Sequence, residues 1–205
     1  MTKKTKNNLG TVLTMSLAHL VHDVPGAFLA PLLPLLIEKF GMTVFMAGLL
    51  DFFRRFPSIA NPFLGILADR MPIRYFTILM PGVTAVAMSL LGIAPTYTFL
   101  AVLLIISGLS SAVYHVTAPV MIRHVSRERL GRGMSFYMFG GELARSLGPL
   151  IILGAVSLWT LEGTWRLVPF GAAASVFLYF RLKDIEVERK PIEKGEDHAG
   201  KVLAH

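Results

Sequence analysis

Residues 65–74 read Gly65-Ile66-Leu67-Ala68-Asp69-Arg70-Met71-Pro72-Ile73-Arg74. An apolar run over 43–67 enters this stretch and another over 74–93 leaves it, so charge and proline are concentrated where the two meet. Proline cannot continue a helix, and its neighbours avoid the helical region, so the first run ends here. A run of about 20 apolar residues is long enough to cross a ~30 Å hydrocarbon core. The stretch therefore reads as the tight charged turn of a helical hairpin that crosses a membrane twice.

Working outward, four further apolar segments lie at 10–37, 97–122, 133–158 and 164–181, which makes six with short connections. The composition agrees. Of 205 residues, 54% are hydrophobic and only 16% charged, with a mean hydropathy of +0.60, whereas soluble domains carry about 25% charge. A formal charge of +7 would suit a nucleic-acid binder if the cations shared one solvated face, but they sit between apolar runs. The absence of cysteine excludes disulfide scaffolds, thiolate metal sites and cysteine nucleophiles. The first segment follows Lys3, Lys4 and Lys6 but is too long for a cleaved leader, and reads as a retained helix.

The cations assign a topology. With a cytoplasmic N-terminus, fifteen of the 20 Lys and Arg fall on that side: the first lysines, Arg70 and Arg74, the 123–132 loop and the chain beyond residue 180. Lys39 and Arg166 face the other side, and Arg54, Arg55 and Arg145 lie within segments. The positive-inside rule then predicts an all-α, multi-pass protein of the cell (inner) membrane with six transmembrane helices and both termini cytoplasmic. Residues 1–9 read as the N-terminus, 10–182 as the transmembrane domain and 183–205 as a polar tail.

Inside the segments, polar residues form stripes. On a continuous helix Asp51, Arg54, Arg55, Ser58, Asn61, Gly65 and Asp69 share one face, against Phe52, Phe53, Phe56, Ile59 and Phe63. Each Asp or Arg at mid-membrane costs about 2.5–3.5 kcal/mol, against about 0.3–0.6 kcal/mol gained per strongly apolar residue, so this helix depends on its neighbours. Ser16, His19, His22, Asp23 and Gly26 line the first segment, and Ser107, Gly108, Ser111, His115 and Pro119 the fourth. In the fifth, Gly140, Ala144 and Gly148 present a face for close helix packing, opposite Glu142, Arg145 and Pro149, which are expected to face a cavity. The embedded charges balance: Asp23, Asp51 and Glu142 against Arg54, Arg55 and Arg145. Balance points to pairing, with structural helix-locking pairs and proton or substrate roles both open for Asp51, Arg54 and Arg55.

His19, His22 and Asp23 have the i, i+3, i+4 spacing of a metal site, but no further ligand accompanies them in sequence. A proton relay fits better, because histidine titrates near neutral pH and burial raises an aspartate towards it. The expectation is no metal and no cofactor.

The stretch with Gly65, Asp69, Arg70 and Arg74 resembles the loop between helices two and three of the major facilitator superfamily, with Pro72 where glycine is usual. Ser16-Leu17-Ala18-His19 with Asp23 and Pro34-Leu35-Leu36 resembles the first helix of its fosmidomycin-resistance-like exporters. Gly108-Leu109-Ser110-Ser111 with His115 is similar to their fourth, and Gly140-Gly141 with Ser146-Leu147-Gly148-Pro149-Leu150 to their fifth and to the Gly-Pro motif of proton-coupled antiporters. The sequence departs from the pattern at Leu104, where many drug antiporters carry arginine, and at Leu150-Ile151-Ile152, where a glycine pair is usual.

The resemblance implies the N-terminal half of a twelve-helix transporter, built of two inverted three-helix repeats, with the substrate bound between halves. It implies a half-size or truncated secondary transporter exporting a small organic compound or drug against protons. His19, His22, Asp23, His115, Glu142 and Arg145 would serve coupling, and Gly65, Asp69, Arg70 and Arg74 the cytoplasmic gate. The partners expected are the lipid bilayer, a small-molecule substrate with protons, and a homodimer mate or a second six-helix half, without nucleic acid. The alternative is a non-transporting assembly or regulatory partner, or the remnant of a split or frameshifted gene. An intramembrane hydrolase is not expected, since Ser135 and His115 lie on different segments with no nucleophile motif.

Overall fold

The computed structural model describes residues 9–68 and 72–185. Among them the chain is helical throughout, with eight α-helices joined by turns and short 3-10 pieces. These are α1 (Leu9–Gly26), α2 (Leu29–Phe40), α3 (Val44–Arg55), α4 (Asn61–Ala68), α5 (Ile73–Ser89), α6 (Tyr97–Ser126), α7 (Leu130–Trp159) and α8 (Val168–Leu182). Among the described residues, three helical runs are long and apolar enough to cross a membrane: Leu9–Phe40, Ile73–Ile93 and Tyr97–Trp159, the last comprising both α6 and α7.

Local chemistry sets the boundaries. α2 ends where Gly41 takes φ 59°, a conformation that costs glycine little, and the Met42 N–H returns to the Ile37 carbonyl at 3.1 Å. The Thr43 hydroxyl then accepts from the Met46 N–H at 3.2 Å to start α3, and Thr96 starts α6 the same way through Phe99 at 3.2 Å.

Two segments expected to be single helices are broken. The first separates into α1 and α2 around Ala27 and Phe28, where Pro25 and Gly26 precede Pro31, whose missing N–H leaves the Ala27 carbonyl without its usual partner. The second separates into α3 and α4 around a 3-10 piece, Phe56–Ala60, which contains Pro57. A 3-10 helix turns 3.0 residues per turn rather than 3.6, so the polar stripe projected on a continuous helix is rotated out of line there. Buried positions of this region are Ala47, Leu50 and Pro57, and Arg54 lies on that same line, away from Asp51 and Arg55.

The bundle is held by α1 against α7 and α5 against α6 and α8, with α3 crossing α6. Two apolar clusters form its interior. One gathers Phe28, Leu32, Leu36, Leu50, Met88, Leu91, Leu100, Leu104 and Ile152. The other gathers Met15, Ala18, Ile78, Tyr114, Met121, Ile122, Tyr137, Leu178 and Leu182. On α1, α5 and α6 alike, the stretch between these clusters carries polar residues: His19, His22 and Asp23, then Thr84, then Ser107, Ser110 and Ser111. The fold thus sets one polar layer between two apolar ones.

Large apolar side chains face outward, with Val44 86% exposed, Ile66 77%, Phe45 75% and Leu158 75%. In lipid such surfaces carry no drive to associate, so the helices are held by close packing and buried polar contacts.

Candidate functional site

Asp23, on the last turns of α1, is the centre of the polar layer. His22 Nδ1 lies 2.7 Å from Asp23 Oδ1, His19 Nε2 3.3 Å from Oδ2, and His115 Nε2, arriving from α6, 3.5 Å from Oδ1. His19 and His22 are buried, whereas the His115 side chain is 40% exposed and opens the cluster on one side.

The far side of each ring is also held. His19 Nδ1 meets the Tyr137 carbonyl at 2.8 Å, and His115 Nδ1 meets the Ser111 carbonyl at 2.9 Å. His22 Nε2 lies 3.2 Å from the Thr84 hydroxyl, which reaches Ser110 at 2.8 Å, and Ser110 donates to the Met80 carbonyl at 2.9 Å. The ring of His19 stacks on Tyr137 at 4.1 Å and that of His22 on Tyr114 at 4.0 Å. Four helices therefore fix one carboxylate: α1 provides it, and α5, α6 and α7 hold the rings around it.

The other embedded charges do not join this cluster. Asp51 pairs with Arg55 at 2.7 Å and Glu142 with Arg145 at 2.8 Å, each within one helix and exposed. The expected balance of charge is there, but these pairs lock no helices together, because their partners are one turn apart on the same helix. Arg54 departs from the expected pairing: its Nη2 donates to the Gly26 carbonyl at 2.6 Å, where α1 breaks. Ser135 donates to the Gly131 carbonyl one turn back rather than meeting His115.

Comparison with known proteins places this architecture. The family model described as Major Facilitator Superfamily matches residues 15–204. The chain belongs to the major facilitator superfamily. It is 26% identical over 151 residues to the fosmidomycin resistance protein of Escherichia coli (strain K12), a match covering 73% of this chain and 37% of that relative. The match spans only 37% of that relative's length, and the chain is a multi-pass membrane protein of a transporter superfamily.

Within that superfamily frame, Asp69 and Arg70 of the charged loop lie outside the described residues. Gly65 is exposed on α4, and Arg74, at the start of α5, donates to the Ile185 carbonyl at 3.1 Å and lies over the Tyr75 ring at 4.8 Å. At the opposite end Lys39 donates to the Gly92 carbonyl at 2.6 Å and pairs with Glu162 at 3.2 Å. The Glu162 carboxyl is held below its ordinary range, first by its own backbone N–H and then by Lys39.

On α7, Gly140, Gly141, Ala144 and Gly148 are buried, while Pro149 is half-buried. A methyl group added at Gly140 would collide with the Ser16 carbonyl, one at Gly141 with the His19 ring, and one at Gly148 with Ala27 and the Val24 carbonyl. The small-residue face thus lets α1 lie against α7, and Gly141 also makes room for a ring of the cluster.

Sequence reasoning missed Tyr114, Tyr137, Thr84 and Ser110. Tyr114 precedes His115, and Tyr137 stands one turn before Gly140 and Gly141, so aromatic residues at mid-segment beside the stripes were the available signal.

Proposed function

We propose that this chain is the N-terminal six-helix half of a secondary active transporter that exports a small organic compound against proton entry. The observation that carries the reading is the polar layer itself: a carboxylate ringed by three histidines, enclosed between two apolar clusters and open on the His115 side. Intramembrane ionisable groups are costly and mark ion or substrate pathways. Asp23 with His19 or His22 holds and releases the proton, His115 and Glu142 tune it, and Arg145 supplies an opposing charge.

The segments 10–182 form the transmembrane domain as two inverted three-helix repeats, with 1–9 and 183–205 on the cytoplasmic side of the inner membrane. Asp69, Arg70 and Arg74 gate that side, as the resemblance of this loop to the cytoplasmic loop of the superfamily implies. Alternating access needs a second six-helix unit to rock against.

The test is flux. Proteoliposomes containing the protein with its second half, or as a homodimer, are expected to move a hydrophobic drug-like substrate when a proton gradient is imposed, and Asp23→Asn abolishes the dependence on the gradient. Gradient-driven flux that survives Asp23→Asn overturns the coupling assignment. A monomer in mild detergent with no flux under any pairing would favour a non-transporting assembly partner or the remnant of a split gene.

A further inference from the structure

The nitrogen atoms around Asp23 carry a second reading, which goes beyond transport. His19 Nδ1 and His115 Nδ1 each face a backbone carbonyl oxygen, at 2.8 and 2.9 Å. A carbonyl only accepts, so in each neutral ring Nδ1 bears the hydrogen and Nε2 is left as a lone pair. Both lone pairs point at Asp23, whose ionised carboxylate also offers only lone pairs, at 3.3 and 3.5 Å. Something positive belongs between them.

The distances decide its kind. A hydrogen bond between a charged nitrogen and a carboxylate contracts to about 2.7–2.9 Å, as His22 does on the same carboxylate at 2.7 Å. Separations of 3.3 and 3.5 Å are longer than that. Each is close to the ligand-to-ligand edge, roughly 3.4 Å, of a tetrahedron around an ion with bonds of about 2.0–2.1 Å, and the two run to the two different oxygens of the carboxylate, Oδ2 for His19 and Oδ1 for His115. All three ligand atoms lie within 4.8 Å of one another.

We propose that His19, Asp23 and His115 form a binding site for a divalent first-row transition-metal ion, Zn2+ being the reference case. The supporting groups are those that such sites use: a carbonyl accepts the other N–H of each ligating histidine, and His22 orients the carboxylate. Two histidines and a carboxylate leave a fourth position for water or another ligand. That position opens towards His115, the exposed member of the set. The ion ties α1 to α6 across the polar layer. With two neutral rings and one carboxylate it carries the same net charge of about +1 as two bridging protons would.

The site is tested on the full chain in detergent micelles after chelator treatment, without any transport measurement, so it stands or falls independently of proton coupling. Titration with Zn2+ against a chromophoric chelator is expected to fill one equivalent per chain. His115→Ala and Asp23→Asn are each expected to weaken it at least tenfold, and His22→Phe by roughly tenfold through loss of support to Asp23. Co2+ should give the visible absorption of a low-coordinate nitrogen and oxygen site, lost in His115→Ala. Should these variants misfold, the unaltered chain still decides: Zn2+ is expected to protect half-exposed His115 from carbethoxylation mapped by mass spectrometry. Failure to bind one equivalent, binding that persists in a folded His19→Ala, His115→Ala double variant, or unprotected His115 would each overturn the proposal.

Discussion

Arg54 and Gly26 stand 28 residues apart in the chain, and the guanidinium of one donates to the carbonyl of the other at 2.6 Å. The carbonyl belongs to the last residue of α1, where the helix breaks before α2. In lipid no water satisfies such a group, so irregular backbone at membrane depth needs a protein partner. An arginine that looked like one member of a charged stripe is in fact the polar cap of a broken helix.

Arg54→Ala leaves that half-buried carbonyl unpaired, which costs up to about 1–3 kcal/mol, the range for a fully buried acceptor. The variant is expected to unfold at lower denaturant than the parent in micelles, while Arg55→Ala, whose partner Asp51 is exposed on the same helix, is close to neutral. Equal effects from the two arginines would contradict this assignment.

Gly148 and Gly154 both lie on α7 and should respond oppositely to alanine. At Gly148 the added methyl group meets Ala27 Cβ and the Val24 carbonyl, neither of which can swing away, and overpacking of this kind costs about 1–3 kcal/mol. At Gly154 nothing lies within 4 Å, so Gly154→Ala gains about 0.5–1 kcal/mol from the helix backbone. Thermal unfolding of the two purified variants provides the comparison.

The Glu142–Arg145 pair is intrahelical, with side chains 58% and 67% exposed. Replacing both residues by glutamine is expected to alter stability by no more than about 0.5 kcal/mol, because exposed pairs one turn apart contribute little. A much larger loss, seen in chemical unfolding of the double variant, would mean that the pair holds the bundle together after all.

Glu162 gives a pH dependence with a definite sign. Its folded value lies below the ordinary value of 4.5. The tie to Lys39 therefore contributes above pH 4.5 and is lost as the pH falls through the lower folded value. With the side chain 59% exposed the contribution is small. Wild type should be slightly more stable than Glu162→Gln at about pH 7, and this advantage should be smaller at about pH 3, below the ordinary carboxylate value. Parallel melting curves at the two values are the check, and an advantage that grows in acid would contradict the sign.

Much of this was legible in the order of residues. Apolar length and the placement of cations need no tertiary information, because the bilayer imposes both on the local sequence. The four-residue spacing of Gly140, Ala144 and Gly148 likewise marked the face of α7 that packs on α1, since helical periodicity alone aligns them. The breaks after Gly26 and at Phe56 were harder to read: their prolines were visible, but proline kinks some membrane helices and divides others according to what the neighbours supply.

The site divides the same way. His19, His22 and Asp23 fall on one face by spacing, and the sequence by itself determined that they would be neighbours. It also determined a membrane-spanning helical chain of the major facilitator kind, through motifs that are local. Only the tertiary structure decided that His115 closes the ring around Asp23, that Tyr114 and Tyr137 stack on the histidines, and that Arg54 leaves its stripe to cap Gly26. Those contacts join α1 to α3, α6 and α7 across 28 to 118 residues of chain. No helical period encodes them, because each depends on how separate helices cross and on the breaks and close glycine contacts that set where they do.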